Sequence, residues 1–108
     1  MAHYLMQVGY TPEAWKGLLK NPEDRTKAIV PVIQKLGGNL VGAWFAFGED
    51  DLVIIAEFPD NVSAAAFSLA AAAGGAVRSL KTTPLMAINE GITAMKRAAE
   101  SGYKPPGK

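Results

Sequence analysis

Residues 39–47, NLVGAWFAF, and residues 52–58, LVIIAEF, are apolar at odd and even positions alike, and only GEDD separates them. A strand turns successive side chains to opposite faces. A run that is apolar throughout therefore asks for cover on both faces of the sheet it joins. GEDD has the length of a hairpin connection, and glycine and aspartate are turn residues. The two runs are expected to pair as an antiparallel hairpin that avoids water on both sides. Glu57 is the exception, a carboxylate set beside Val53 and Ile55.

The other elements follow from period and punctuation. Residues 3–10, HYLMQVGY, alternate as a strand, with Tyr4, Met6, Val8 and Tyr10 on one face. Thr11, Pro12 and Glu13 are an N-cap, a first-turn proline and an acid at the positive end of a helix. NPED at 21–24 repeats that signal and predicts a second helix from Pro22 to Leu36, with Ala28, Ile29, Val32, Ile33 and Leu36 as its apolar stripe. Pro31 lies inside it and predicts a bend, since an interior proline costs about 3 kcal/mol. Asp60 and Asn61 cap an alanine-rich helix reaching about Ala73, and Gly74 and Gly75 stop it. AVRSLKTT, residues 76–83, reads as a fourth strand. Thr83 and Pro84 are expected to open a last helix, with Leu85, Ile88, Ile92, Met95 and Ala99 on one buried stripe.

The order β-α-β-β-α-β-α, with right-handed crossovers, gives an α+β fold: a ferredoxin-like βαββαβ unit with an added C-terminal helix. Its antiparallel four-stranded sheet takes the strand order 4-1-3-2, with the two crossover helices on one face. The chain of 108 residues, 49% hydrophobic and 19% charged, suits one domain, placed at residues 1–102, followed by a polar flexible tail at 103–108. The opposite sheet face then has no cover. Leaving roughly 500 Å² of it wet forgoes on the order of 12 kcal/mol at about 25 cal/mol per Å², before association costs. Soluble monomers seldom expose so large an apolar patch. A second subunit, related by two-fold symmetry, is expected to supply the cover, with the last helix adding to the edge or the contact.

YLMQVGYTPE, NPEDR, GGNLVGAWFAFGEDDLVIIAEFPD and AVRSLKT, spanning most of residues 4–83, resemble the GYD-domain family within the dimeric α+β barrel superfamily. Gly48 and Asp51 fit the family's glycine–tyrosine–aspartate signature, with Asp50 where the tyrosine would stand. Glu57 and Asp60 fit the E-x-P-D that often follows it. The resemblance implies a dimer with a small cavity between two sheets. Families similar to it include small monooxygenases, isomerases, chlorite dismutases and plain ligand-binding domains, so it implies no single chemistry.

The candidate residues are few. A net charge of +1 gives no footprint for nucleic acid or an anionic membrane. The absence of cysteine and the presence of a single histidine exclude thiolate and multi-histidine metal sites, and the acidic turn lacks the spacing of a calcium loop. No metal and no cofactor are expected. MAHYLMQVGY has neither the basic start nor the apolar run of a signal peptide, so a cytoplasmic protein is expected. Gly48, Glu49, Asp50 and Asp51 read as a turn kept wet by charge. Glu57 reads as a general base raised by burial, aided by His3, or as half of an ion pair or hydrogen bond, for instance with Lys81 or a backbone group, or as a strand-end residue in water. Trp44, with room beside it at Gly42, reads as core or as a ligand contact, and Gln7 shares the strand face of His3. Arg25 and Arg78 read as anion binders or surface pairs. The expected function is a homo-oligomeric small-molecule-binding or accessory domain for an apolar ligand, its cavity fringed by His3, Gln7, Trp44 and Glu57. The alternatives are a cofactor-free monooxygenase- or isomerase-like enzyme with Glu57 as base, and a structural assembly subunit.

Overall fold

The computed structural model of the chain describes residues 1–107. Eight elements follow in order: β1 (Ala2–Tyr10), α1 (Pro12–Lys20), α2 (Thr26–Lys35), β2 (Asn39–Phe45), β3 (Leu52–Phe58), α3 (Asn61–Ala73), β4 (Val77–Leu85) and α4 (Ile88–Ala99). The sheet runs β2-β3-β1-β4, antiparallel at every pairing, which is the strand order expected.

The alternation of β1 and β3 decides the core. Tyr4, Met6, Val8 and Tyr10 lie beside Leu52, Ile54, Ala56 and Phe58, and all are buried with Ile33 of α2 and Ala64 and Phe67 of α3. Tyr4 donates its hydroxyl to Asn61 Oδ1 at 2.6 Å, which satisfies the one polar atom that its ring carries into the layer. Caps hold the helices where the sequence signals them. Thr11 accepts the Ala14 N–H, and Asp60 accepts the Ser63 N–H. Gly37 and Gly75, at φ +84° and +83°, take the left-handed conformation that ends α2 and α3.

Several boundaries differ from the expectation, among them the end of β2, which stops at Phe45 and not Phe47, so that six residues and not four connect it to β3. α2 starts at Thr26, not Pro22, because Asp24 accepts both the Thr26 N–H and its hydroxyl and so closes a side-chain turn just before Arg25, the residue at the N-cap. It runs unbroken through Pro31, whose side is exposed, so water can take the carbonyl that the proline leaves free. β4 continues through Pro84 to Leu85, and α4 starts only at Ile88. β4 is an edge strand, where a missing N–H breaks no ladder on the outer side.

That extension carries α4 past the end of the sheet. Ile88, Ile92 and Met95 are 82%, 47% and 71% exposed, so the predicted stripe is not buried within the chain. The radius of gyration is 17.4 Å, with extents of 58 × 33 × 22 Å. A compact domain of about 100 residues would have about 13 Å. Residues 103–107 of the predicted tail are exposed and carry no helix or strand, and Lys108 lies outside the described residues. No helix among the described residues is long and apolar enough to cross a membrane.

Candidate functional site

The sheet face away from α2 and α3 is organised in three rows. Asn39, Glu57, His3 and Leu85 stand side by side across β2, β3, β1 and β4. Gly42, Ile55, Leu5 and Thr83 form the next row, and Trp44, Val53, Gln7 and Lys81 the third. A bulge between Leu40 and Gly42 sets this order. It turns Leu40 to the core beside Ala43 and Phe45, whereas a strand of strict alternation would set Leu40 on the face of Gly42 and Trp44. An extra residue on one strand reverses every later side chain relative to the earlier ones.

His3 and Glu57 are cross-strand neighbours, with His3 Nε2 3.4 Å from Glu57 Oε1. Glu57 is not the buried carboxylate that its apolar strand neighbours suggest. Its side chain is 31% exposed and that of His3 48%, because its lateral neighbours, His3 and Asn39, are polar and the strand ends at Phe58. Its partner is His3 and not Lys81, which lies in the third row beside Gln7. Trp44 is no core residue either, being 56% exposed. Its indole lies across Gly42, where an added Cβ would fall 2.5 Å from the ring. The four residues expected to fringe one cavity therefore fall in two separate rows, His3 beside Glu57 in one, and Gln7 and Trp44 on either side of Val53 in the other. His3–Glu57 and Gln7/Trp44 are separated by the apolar middle row, four residues or roughly 13 Å along the strands.

The acidic turn walls one end of this face. Arg78 lies over Gly9, where any Cβ would meet its guanidinium carbon at 2.6 Å. It donates to the Glu49 carbonyl at 2.9 Å and stands 3.6 Å from Asp51 Oδ2. Lys81 Nζ reaches Glu49 Oε1 at 3.3 Å and Asp50 Oδ2 at 3.8 Å. The connection between β2 and β3 thus passes the end of β1 and is latched to β4. Each carboxylate meets a cation, and among the described residues no three acidic or imidazole groups gather as a metal site would require. Arg78 is the surface pair of the two sequence readings.

Asp51, read from sequence as a turn residue, does more. Its Oδ2 accepts the Tyr10 N–H at 2.8 Å and the Trp15 indole N–H at 3.4 Å, while its own N–H donates to Val8 and its carbonyl accepts from Ala46. It joins β1 and α1 to the β2–β3 connection at the point where the β1–β4 register shifts. No local pattern announces this, because the partners lie 36 and 41 residues away in the chain. Gly48 of the same motif is exposed at the tip and touches nothing that a Cβ would meet.

On the helix side, Tyr10 and Arg25 form a second polar group that sequence reading left unassembled. Burial raises the Tyr10 pKa, the Asp51 charge adds to the rise, and the Arg25 guanidinium opposes it. Arg25 is held by Glu23 Oε1 at 2.8 Å, which raises its own pKa further, with Tyr10 contributing.

A family model for the GYD domain matches residues 4–95. Comparison with curated proteins gives no match, and comparison with solved structures gives none either.

Proposed function

This chain belongs to the GYD-domain family, and on that premise we propose that it acts as a cytoplasmic homo-oligomeric binding or accessory domain, two copies facing each other through the three-row sheet face around a small apolar ligand. The observation that carries the reading is the unsheltered face itself. Leu5, Val53, Ile55, Trp44 and Leu85 lie on it, no helix among the described residues crosses it, and α4 projects clear with its apolar stripe exposed. Burying such a face against its own copy is the simplest way to remove it from water, because a two-fold axis presents each patch with its complement. The middle row supplies the apolar floor of a cavity, Gln7 and Trp44 bound it near the latched hairpin, and His3 and Glu57 bound it at the other end.

Native mass spectrometry of the purified protein tests this reading. The expected result is a dimer that carries a small adduct, lost in Trp44→Ala and Gln7→Ala. A dimer without adduct leaves the structural assembly subunit as its function, and a monomer ends the reading.

The contact between His3 and Glu57 favours a second reading, in which the pair performs acid–base chemistry once a partner covers it. On that reading Glu57→Gln retains the adduct unconverted, whereas the wild type releases it altered. An identical adduct from both proteins sinks the enzymatic reading alone.

A further inference from the structure

The helix layer holds a cavity that the proposed dimer does not use. Its floor is the core face of the sheet, at Val8, Leu52 and Ile54, and its walls are Ile29 and Val32 of α2 against Phe67 and Ala71 of α3. The volume is about 270 Å³. At about 30 Å³ per water that is room for roughly nine waters. The alanine-rich sequence of α3 explains the space, since Ala70, Ala71 and Gly74 put almost no side chain into the gap. Tyr10 and Arg25 stand at one end of it and also line a second pocket, of about 310 Å³, beside α1 and Glu23.

We propose that this cavity is a binding site for a small monocarboxylate with an unbranched apolar body, the chain lying between α2 and α3 and the carboxylate meeting Arg25 and Tyr10. An apolar pocket with a few convergent polar groups at one end is the usual form of such a site. The chemistry is complementary at both ends. The guanidinium offers several donors in a planar fork, and Glu23 occupies only one nitrogen, NH1. The Glu23 carboxylate is half exposed and can turn to water when a ligand carboxylate takes its place. The Tyr10 phenol adds a neutral donor, as any tyrosine does near neutral pH. The site lies on the opposite side of the sheet from the proposed dimer face and does not depend on dimerisation.

Octanoate is the probe, followed by amide chemical shifts on the full chain, with octanol as the neutral control. Octanoate is expected to shift Ala70, Ala71, Gly74 and Val32 saturably, and octanol to bind roughly tenfold more weakly, the factor that one charge-assisted contact supplies. Arg25→Gln should erase that difference, and Glu23→Gln, which frees the guanidinium, should tighten octanoate. Ala71→Phe should fill the cavity and abolish binding while the circular dichroism and the unfolding midpoint hold. Equal binding of octanol and octanoate overturns the proposal. So do shifts confined to Gln7, Trp44 and Ile55, which would give the ligand to the other face. Concentration-dependent shifts at the α2–α3 residues without ligand would give the cavity to a second copy of the chain, and would overturn it too.

Discussion

Replacing Asp51 by alanine removes one oxygen that three donors share. The Tyr10 N–H at 2.8 Å is the most consequential, because Tyr10 is 6% exposed and the β1–β4 register shifts there. A buried N–H left short of an acceptor costs about 1–3 kcal/mol. The indole bond from Trp15, at 3.4 Å, is long and contributes about 0.5 kcal/mol. Arg78 is nearly half exposed and 3.6 Å away, so solvent screening holds its share below about 1 kcal/mol. Asp51→Ala should therefore lose about 2–4 kcal/mol. Asp51→Asn keeps an acceptor for the Tyr10 N–H and should lose about 1 kcal/mol. At about 4–8 °C per kcal/mol for a domain near this size, the alanine variant should melt roughly 10–25 °C lower. Urea unfolding at several protein concentrations, followed by circular dichroism, separates the loss within the chain from any change in association. An alanine variant within about 0.5 kcal/mol of wild type would refute the reasoning, since that is the ordinary range of surface substitutions. Asparagine as harmful as alanine would show that charge toward Arg78, not the acceptor to Tyr10, carries the effect.

Gly42→Ala should push the indole off the strand, because the new Cβ would meet the Trp44 ring at 2.5 Å and a flexible exposed side chain yields more easily than the backbone. The expected signs are a red-shifted tryptophan emission and a changed near-ultraviolet circular dichroism with little loss of stability; an unchanged spectrum would contradict the contact. Asp60 is held below the ordinary aspartate range by the Ser63 backbone and side chain, and Asp24 by the Thr26 side chain and backbone. A depressed folded pKa gives stability that is present above the unfolded value, about 3.9, and is lost as pH falls below it. Asp24→Asn with Asp60→Asn should flatten the fall of the urea midpoint in that acid window, and an equal slope in the double variant would refute the assignment.

Much of the fold was legible because β1, β3 and α3 obey simple periods. The even positions of β1 and β3 are the core, the turn residues Gly48 to Asp51 do lie between β2 and β3, although the connection also takes in Ala46 and Phe47, and Asp60 caps α3. The antiparallel order of β1 and β3 also narrowed the neighbour of Glu57 to His3 or Leu5, and the register makes it His3. What stayed hidden was nonlocal. The bulge in β2 comes from pairing with β3, and a one-residue shift cannot be seen in a run that is apolar on both sides. Pro84 reads as a helix start, yet sits in a strand because that strand has only one neighbour. Glu57 reads as buried among Val53 and Ile55, yet its solvent is set by the polar residues beside it on the adjoining strands. Asp51, Tyr10, Trp15 and Arg78 meet only after the sheet has formed.

Sedimentation velocity in dilute solution, on wild type and on Ile55→Glu, tests the pairing of open sheet faces most directly. Ile55 sits in the middle row, where a carboxylate would face its own copy across the two-fold axis and have no water to reach. Wild type should sediment at twice the chain mass of 11.4 kDa, and the variant at the single-chain mass with its fold intact. Wild type sedimenting as one chain, with Trp44 already in water, would contradict it.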